Sequence, residues 1–326
     1  MKDPKGRKID YLRISITDRC NERCVYCMPE DFQQWLPREE ILTYEEILSV
    51  VEVAAGLGVR KIRVTGGEPL LRKGAVDFIG KLFKVKGIET VTLTTNATRL
   101  ASLAKPLYDV GLERVNISLD AIDSAIYKSL TGGVLENALA GIRAARDAGM
   151  KCIKLNMVLM RGKNENQIWP LLNYAKEMNL PLRFIELMPV SLTDMLDENN
   201  FYPIEELKKY LRRYDDLDML DHQDAFGFGP ARYYQMRKTG VTVGFIGAIS
   251  DLHFCETCNK VRLTCDGKLR PCLGNHLETD LKAALRPSID SSRIEQLIQS
   301  TLWMKPDEHV FRDNYQPGRI MTAIGG

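Results

Sequence analysis

No run of eighteen apolar residues occurs in this 326-residue chain, so no segment reads as a membrane-spanning helix. Charge of one sign is missing too: 45 Lys and Arg stand against 43 Asp and Glu, a formal net charge of +2. So weak a field gives no general attraction to nucleic acid or to a membrane surface. Any anionic ligand must be gathered by a local set of cations. The opening residues, MKDPKGRKID, carry basic side chains with no apolar stretch behind them, and so lack the plan of a signal peptide. Low-complexity segments and long linkers are absent as well. With 44% hydrophobic and 27% charged residues, the composition suits a folded chain with a large core, and the expected location is the cytoplasm.

What the chain does have is cysteine. Disulfides are rare where thiols stay reduced, so eight cysteines need another use. Cys20, Cys24 and Cys27 form one group, Cys255, Cys258, Cys265 and Cys272 a second, and Cys152 stands alone in an apolar, strand-like run. Soft thiolates suit iron-sulfur clusters or zinc, and two groups at opposite ends of the chain imply metal.

Strand-like runs at 11–17, 61–65, 90–95, 114–119, 152–160 and 182–187 alternate with amphipathic stretches such as 43–57 and 135–148. A strand-helix repeat of about six units predicts a parallel sheet with right-handed crossovers. Polar residues at the ends of several strands, Thr65, Thr94 and Ser118, with Met188 beside them, favour a partial (β/α)6 TIM-type barrel over a doubly wound sheet. Ligands at the carboxyl ends of strands suit either architecture. The alternation stops after about residue 189, which divides the chain into a barrel over 1–190 and a C-terminal α+β extension over 191–326. The extension is expected to hold a helix at 203–213, a hairpin over 231–246 turning at 238–240, the cysteine segment 255–272, and helices near 279–285 and 293–304.

The segment TDRCNERCVYCMPE, just past the first strand, has neither helical nor strand periodicity and reads as a loop wrapped around a cluster. Three cysteines on a four-iron cube leave one iron open to a substrate or cofactor. Zinc completed by a distant ligand is the plainer alternative, but zinc cysteines usually come as two pairs.

The CxxxCxxC triplet, Tyr26 before its last cysteine, and the Gly66-Gly67-Glu68-Pro69 stretch after the second strand together resemble the signature of radical S-adenosylmethionine enzymes. By itself the glycine pair would read as a turn needing positive φ. The resemblance implies that an open iron binds S-adenosylmethionine. An electron from the cluster then cleaves the sulfonium to methionine and a 5'-deoxyadenosyl radical, while the protein supplies position and shelter from water.

Cys255, Cys258 and Cys272 alone would suit a zinc ribbon, with Cys265, His253 or His276 as fourth ligand. In context, FCETCNKVRLTCDGKLRPCL resembles the auxiliary-cluster segment of the GTP 3',8-cyclases, lyases that begin molybdenum cofactor synthesis. That resemblance implies a second 4Fe-4S cluster on Cys255, Cys258 and Cys272 that meets the purine of GTP. Cys265 and Cys152 fall outside the pattern and read as small buried residues.

The resemblance further implies cofactor contacts at Tyr26, Gly66, Gly67, Glu68, Ser118 and Met188. It implies substrate contacts at Arg13, Arg63, Thr94, Lys154, Asn259, Lys260, Val261 and Arg262, and Lys61, a cation at the start of a strand, is counted with them from its place in the sequence. Arg13 and Arg183 join Cys20, Cys24 and Cys27 as catalytic candidates. Cations inside apolar strands need partners, and a triphosphate is one. Lys260 stands where relatives commonly have Arg, which exchanges a bidentate contact for a point charge. The final Gly325-Gly326 resembles the family's C-terminal double glycine, and the apolar Ile320, Met321 and Ile324 before it favour docking over a frayed end.

The expected reaction takes hydrogen from ribose C3' of GTP and joins that carbon to guanine C8, giving 3',8-cyclo-7,8-dihydro-GTP. Expected partners are GTP, an electron donor the sequence does not identify, the pyranopterin-forming enzyme that takes the product, and a second copy of the chain in a homodimer. Two alternatives stand beside this reading. One is another two-cluster radical enzyme, such as a peptide or sulfatase maturase, which usually carries a longer cysteine array. The other is a zinc-binding scaffold without catalysis.

Overall fold

The computed structural model describes residues 1–29, 31–193, 195–197, 199–221, 227, 229–313 and 315–325. Six strands alternate with helices in the first part of the chain. β1 (Tyr11–Ser15) leads through the first cysteine loop to α1 (Tyr44–Gly56), and β2 (Lys61–Thr65) to α2 (Ala75–Phe83). β3 (Thr90–Thr95) and α3 (Leu100–Asp109) follow, then β4 (Arg114–Ser118) with α4 (Ser124–Thr131) and α5 (Leu135–Asp147). β5 (Cys152–Leu159), α6 (Ile168–Met178) and β6 (Leu182–Glu186) complete the series.

Local chemistry accounts for these boundaries. Thr43 and Glu46 form a reciprocal cap at the start of α1: the Thr43 hydroxyl accepts from the Glu46 N–H at 3.1 Å, and the Glu46 carboxylate accepts from the Thr43 N–H at 2.6 Å. Ile47, Val50, Val51 and Ala54 share the buried face of α1. Along the strands the alternation has period two. Leu12 and Ile14 of β1, Ile62 and Val64 of β2, and Val115 and Ile117 of β4 join the apolar core under the helices. Tyr11, Arg13 and Ser15, Arg63 and Thr65, and Ser118 take the other face.

The rest of the chain extends this sheet instead of building a separate one. After α7 (Ile204–Arg212), the strands β7 (Leu217–Met219), β8 (Arg232–Met236) and β9 (Thr242–Ile246) form an antiparallel meander whose last strand pairs in parallel with β6. β10 (Lys260–Leu263) pairs in parallel with β1, Tyr11 opposite Lys260 and Arg13 opposite Arg262. It continues antiparallel into β11 (Lys268–Arg270) and β12 (Thr279–Asp280). The order is β12-β11-β10-β1-β2-β3-β4-β5-β6-β9-β8-β7, a partial TIM-type barrel with a C-terminal extension at both edges. α8 (Lys282–Leu285), α9 (Ser291–Trp303) and α10 (Met321–Ile324) complete the described elements.

The hairpin and the helix near 203–213 lie where the sequence puts them. The expected helix at 279–285 is instead a two-residue strand followed by the single turn α8, because Leu269 pairs with Thr279 and Lys268 with Asp280 and so draws those residues into the sheet. β10 lies inside the segment read only as a cysteine loop. Among the described residues, no helix is long and apolar enough to cross a membrane.

Candidate active site

The inner faces of the strands, the first cysteine loop and the segment around β10 enclose a cavity of about 320 Å³. All six cysteines of the two triads line it, and all are free thiols. The register explains how segments so distant in sequence meet. β1 runs toward the first triad at its carboxyl end, while β10 runs parallel to it and begins two residues after Cys258. The triads therefore sit toward opposite ends of one strand pair. At about 3.3 Å per residue, those ends are on the order of 15 Å apart.

The loop of the first triad is held by backbone contacts. Arg23 N–H donates to the Thr131 carbonyl and Val25 N–H to that of Leu130, which tie the loop to the end of α4, and Cys27 N–H closes a turn on the Cys24 carbonyl at 2.8 Å. Gly66 and Gly67 pass directly beneath it. Neither has positive φ, so the expected conformational reason for glycine does not apply. Clearance does: a Cβ on Gly66 would stand 2.5 Å from the Thr17 carbonyl oxygen, and one on Gly67 would stand 2.1 Å from that of Arg19.

Acidic groups surround this end of the cavity. Glu68 accepts from Leu70 N–H at 3.0 Å, the Thr95 hydroxyl at 2.8 Å and Asn96 N–H at 2.8 Å, clipping the end of β3 to the glycine turn. Burial pushes its carboxyl up to about 7, against those hydrogen bonds. Tyr26 donates to Asp120 at 2.7 Å, and the other Asp120 oxygen accepts from Val158 N–H at 2.8 Å. Burial raises Asp120 to about 6. Glu22 accepts from the Tyr127 hydroxyl at 2.7 Å and is raised to about 7, again by burial.

The opposite side is cationic. Arg13, Arg63, Arg183, Lys260 and Arg262 all line the cavity. Burial first, then the charges of Arg262 and Arg63, hold Arg13 well below the usual guanidinium range. Burial lowers Lys260 to about 8 and Arg262 to about 10. Arg63 donates to Thr94 at 3.3 Å and to the Tyr11 hydroxyl, and Arg183 donates to Asn156 at 2.8 Å. Burial alone would raise the Tyr11 phenol, but Arg63, a Thr92 hydrogen bond and Arg13 bring it down to about 8.

The second triad differs from the first in one respect. Burial raises Cys20 and Cys27 to about 12, and raises Cys24, Cys255 and Cys272 as well. Cys258 goes the other way, because the ammonium groups of Lys305 and Lys260 outweigh its burial. The chain's tail closes this side. Arg262 donates to the Gly325 carbonyl at 2.7 Å, the Ser15 hydroxyl donates to that of Thr322 at 3.4 Å, and Arg319 grips Asp266 through both oxygens. Met321 and Thr322 line the cavity. Gly326 lies outside the described residues.

The thiols fit iron-sulfur clusters by donor chemistry. Three soft sulfurs of each triad share one opening and repel one another when ionised, as the mutual raising among Cys20, Cys24 and Cys27 shows. Such thiols ionise when a bound cation compensates them. Among the described residues, no three His, Cys, Asp or Glu side chains are set to hold one metal ion. A cube takes each cysteine on a different iron, so the donor set and its common opening are the relevant criterion.

Four expected substrate residues lie apart from the cavity wall. Lys61 pairs with Asp10 at 2.9 Å, and the Asn259 amide donates to the other oxygen of the same carboxylate at 2.9 Å. Lys154 donates to the Cys152 sulfur at 2.9 Å, one layer deeper on β5. Val261 is buried in the apolar core with Leu12. Cys265 is fully buried under the tail, 3.9 Å from the Ala323 carbonyl oxygen.

Other wall residues had escaped notice: Tyr11, Glu22, Asn96, Asp120 and Asn156. Tyr11 shares the alternation of Arg13, and Asp120 lies two residues past Ser118, so both carried a readable signal. An adjoining cavity of about 330 Å³ shares Tyr26, Met188 and Phe311 with the first.

Two family models match the chain. Residues 14–175 match the family model of the radical SAM superfamily, and residues 180–311 match that of Molybdenum Cofactor Synthesis C. The chain is 44% identical to the GTP 3',8-cyclase of Pelotomaculum thermopropionicum over 327 residues, with 100% of both chains covered. It is 42% identical to that of Thermodesulfovibrio yellowstonii over 328 residues, again with 100% of both covered. Among solved structures, Streptococcus suis SuiB bound to the precursor peptide SuiA is similar in fold, with a TM-score of 0.62 at 16% identity, covering 98% of this chain and 76% of that one.

Proposed function

The chain belongs to the GTP 3',8-cyclase family of radical S-adenosylmethionine enzymes, and from that premise we propose that it converts GTP to 3',8-cyclo-7,8-dihydro-GTP, the first step of molybdenum cofactor synthesis. One observation carries the reading: a single cavity has an acidic end at the first thiol triad and a cationic end at the second. A sulfonium cofactor with a free amino group belongs at the first, a nucleoside triphosphate at the second.

Cys20, Cys24 and Cys27 would hold the cluster that opens toward S-adenosylmethionine, and Cys255, Cys258 and Cys272 a second cluster facing the base. When bound, the first cluster and its cofactor supply an electron and a carbon-centred oxidant that removes hydrogen from the ribose. Everything else falls to the chain's own groups.

The backbone of Gly66 and Gly67, with Ser118 and Met188, walls the cofactor end. Tyr26, fixed by Asp120, anchors the cysteine loop against β4 and β5. Arg13, Arg63, Lys260 and Arg262 gather the phosphates, and their crowding is relieved when an anion enters. Arg183, oriented by Asn156, is the cation on the β6 side. It holds positive charge beside the base and donates hydrogen bonds there. The docked tail, held through Arg262 and Gly325, shuts out water. Lys61, paired with Asp10, and Lys154, donating to Cys152, lie off the cavity wall. The reaction suits the cytoplasm, where clusters and reductant are available.

The decisive experiment is anaerobic incubation of the reconstituted protein with S-adenosylmethionine, a reductant and each nucleoside triphosphate in turn, followed by mass spectrometry. We expect deoxyadenosine and a cyclised nucleotide with GTP. Alanine at Cys255, Cys258 or Cys272 should leave some deoxyadenosine and stop cyclisation. Normal cyclisation by such a variant would remove the second triad from the substrate's path. Zinc in place of iron would support a scaffold.

A further inference from the structure

Between α9 and the tail lies a deeply buried lysine that belongs to no motif. Lys305 is 5% exposed, and a cation withdrawn that far from water must satisfy each of its three N–H donors. Its ammonium donates to the Lys260 carbonyl at 2.9 Å, to the Pro271 carbonyl at 2.5 Å and to the Cys258 sulfur at 3.5 Å. Lys260 follows Cys258 by two residues and Pro271 directly precedes Cys272. A single ammonium therefore spans both limbs of the second triad.

The third cysteine is held from the same segment. Arg7 donates to the carbonyls of Pro306 at 2.7 Å and Asp307 at 2.8 Å, and also to the carbonyl of Cys255 at 3.0 Å. Asp3 fixes that guanidinium through a 2.5 Å contact. The turn after α9 thus ties together the backbone around all three cysteines. Among the described residues, the partners of the Lys305 ammonium are the Lys260 and Pro271 carbonyls and the Cys258 sulfur, none of them a carboxylate. Two carbonyls and a sulfur leave its charge uncompensated, and a buried charge without a counter-ion favours whatever anion can be placed beside it.

Resting on the reading that Cys255, Cys258 and Cys272 hold an iron-sulfur cluster, we propose that Lys305 is a positioning residue for that cluster. It sets the separation of the two cysteine limbs and keeps a positive charge against the Cys258 sulfur. A fixed cation stabilises the reduced, more negative state over the oxidised one and so raises the cluster's potential.

The test uses the full chain with Cys20, Cys24 and Cys27 all changed to Ala, so that iron reports the second triad alone. Iron and sulfide per chain, and a redox titration followed by electron paramagnetic resonance, are measured for this parent and for Lys305→Gln and Lys305→Arg. Lys305→Gln keeps hydrogen-bond donors and loses the charge. It should hold the cluster while the ratio of reduced to oxidised cluster at a fixed potential falls about tenfold, equivalent to about 59 mV for one electron. Lys305→Arg should return toward the parent.

A Lys305→Gln chain that melts like the parent yet takes up no iron also supports the assignment. An unchanged potential and iron content in Lys305→Gln overturns it. So does an iron-free Lys305→Gln chain that unfolds well before the parent, since Lys305 would then serve the fold. A parent that binds no iron instead defeats the cluster reading itself, before Lys305 is at issue.

Discussion

A methyl group placed on Gly67 would test whether the glycine turn and the first cysteine loop really share one tight seam. The added Cβ would lie 2.1 Å from the Arg19 carbonyl oxygen, 2.5 Å from the Arg19 carbonyl carbon and 2.7 Å from the Asp18 oxygen, where ordinary contact begins at 3.4 Å. The strands of the seam must part by about 1.3 Å, and backbone cannot rotate aside as a side-chain tip can. Two hydrogen bonds cross the seam, Gly67 N–H to Thr17 at 2.7 Å and Glu68 N–H to Arg19 at 2.8 Å. Opened by that much, both exceed hydrogen-bonding distance.

Losing them costs about 0.5–1.5 kcal/mol each, and overpacking adds about 1–3 kcal/mol. Gly67→Ala should therefore be less stable by roughly 2–6 kcal/mol in denaturant titration of the iron-free protein. Because Arg19 is bonded to Cys20, the same movement displaces the first triad. A misplacement of about 1 Å is enough to lower the rate about a hundredfold. The assay is anaerobic deoxyadenosine formation without GTP, with Gly56→Ala as control, since a Cβ there meets nothing within 4 Å. Stability and cofactor cleavage in Gly67→Ala matching those of the control would refute the clearance argument.

Three further outcomes are expected. Glu186 is fully buried and accepts from the backbone N–H groups of Ile204, Ile249 and Ser250 at 2.9, 2.8 and 3.1 Å. Glu186→Ala strands all three and should cost about 3–5 kcal/mol in urea unfolding; a loss under 1 kcal/mol would show that the join between β6 and the segment after β9 is held elsewhere. Asp266 would be raised by burial, but Arg319 and Thr264 hold its carboxyl below the ordinary range. Its folded value is the lower one, so its stabilisation is full above an unfolded value of about 3.9 and is lost as pH falls through the folded value. Asp266→Asn should be less stable at neutral pH and flatten that acid limb, which unfolding measured from pH 7 to pH 2 would reveal. Tyr11 should titrate near 8, visible as an early step at 295 nm that Tyr11→Phe removes. Loss of amplitude only near pH 10 in that variant, with the early step intact, would place Tyr11 among the ordinary phenols.

The six strand-helix units and the two triads were legible because each is written locally. Period-two alternation, a capping pair such as Thr43 and Glu46, and cysteines a few residues apart need no tertiary knowledge. The joins were not legible. β10 meets β1 across about 250 residues of chain, and nothing near Lys260 announces Tyr11 as its neighbour. Lys61 and Lys154 looked equivalent to Arg63 because all lie in apolar strands. What separates them is their partners: Lys61 meets Asp10 and Lys154 meets Cys152, and neither lines the cavity. The glycine pair was legible as glycine but not for its reason, since clearance depends on what passes overhead. Lys305, more than thirty residues beyond Cys272, carries no local signal at all.

The parallel pairing of β1 with β10 also limits how the gene can change length. Side chains on a strand swap faces with every one-residue shift, so a codon gained or lost between Cys258 and Arg262 would turn Lys260 and Arg262 into the apolar layer and bring Val261 into the substrate's path. The same indel in the turn between β8 and β9 would disturb the contacts of Lys238 and Thr239 with Asp215 but leave the cavity-facing register unchanged. Length variation among functional copies should accordingly gather at such bends and leave the short stretch from Cys258 to Arg262 uniform.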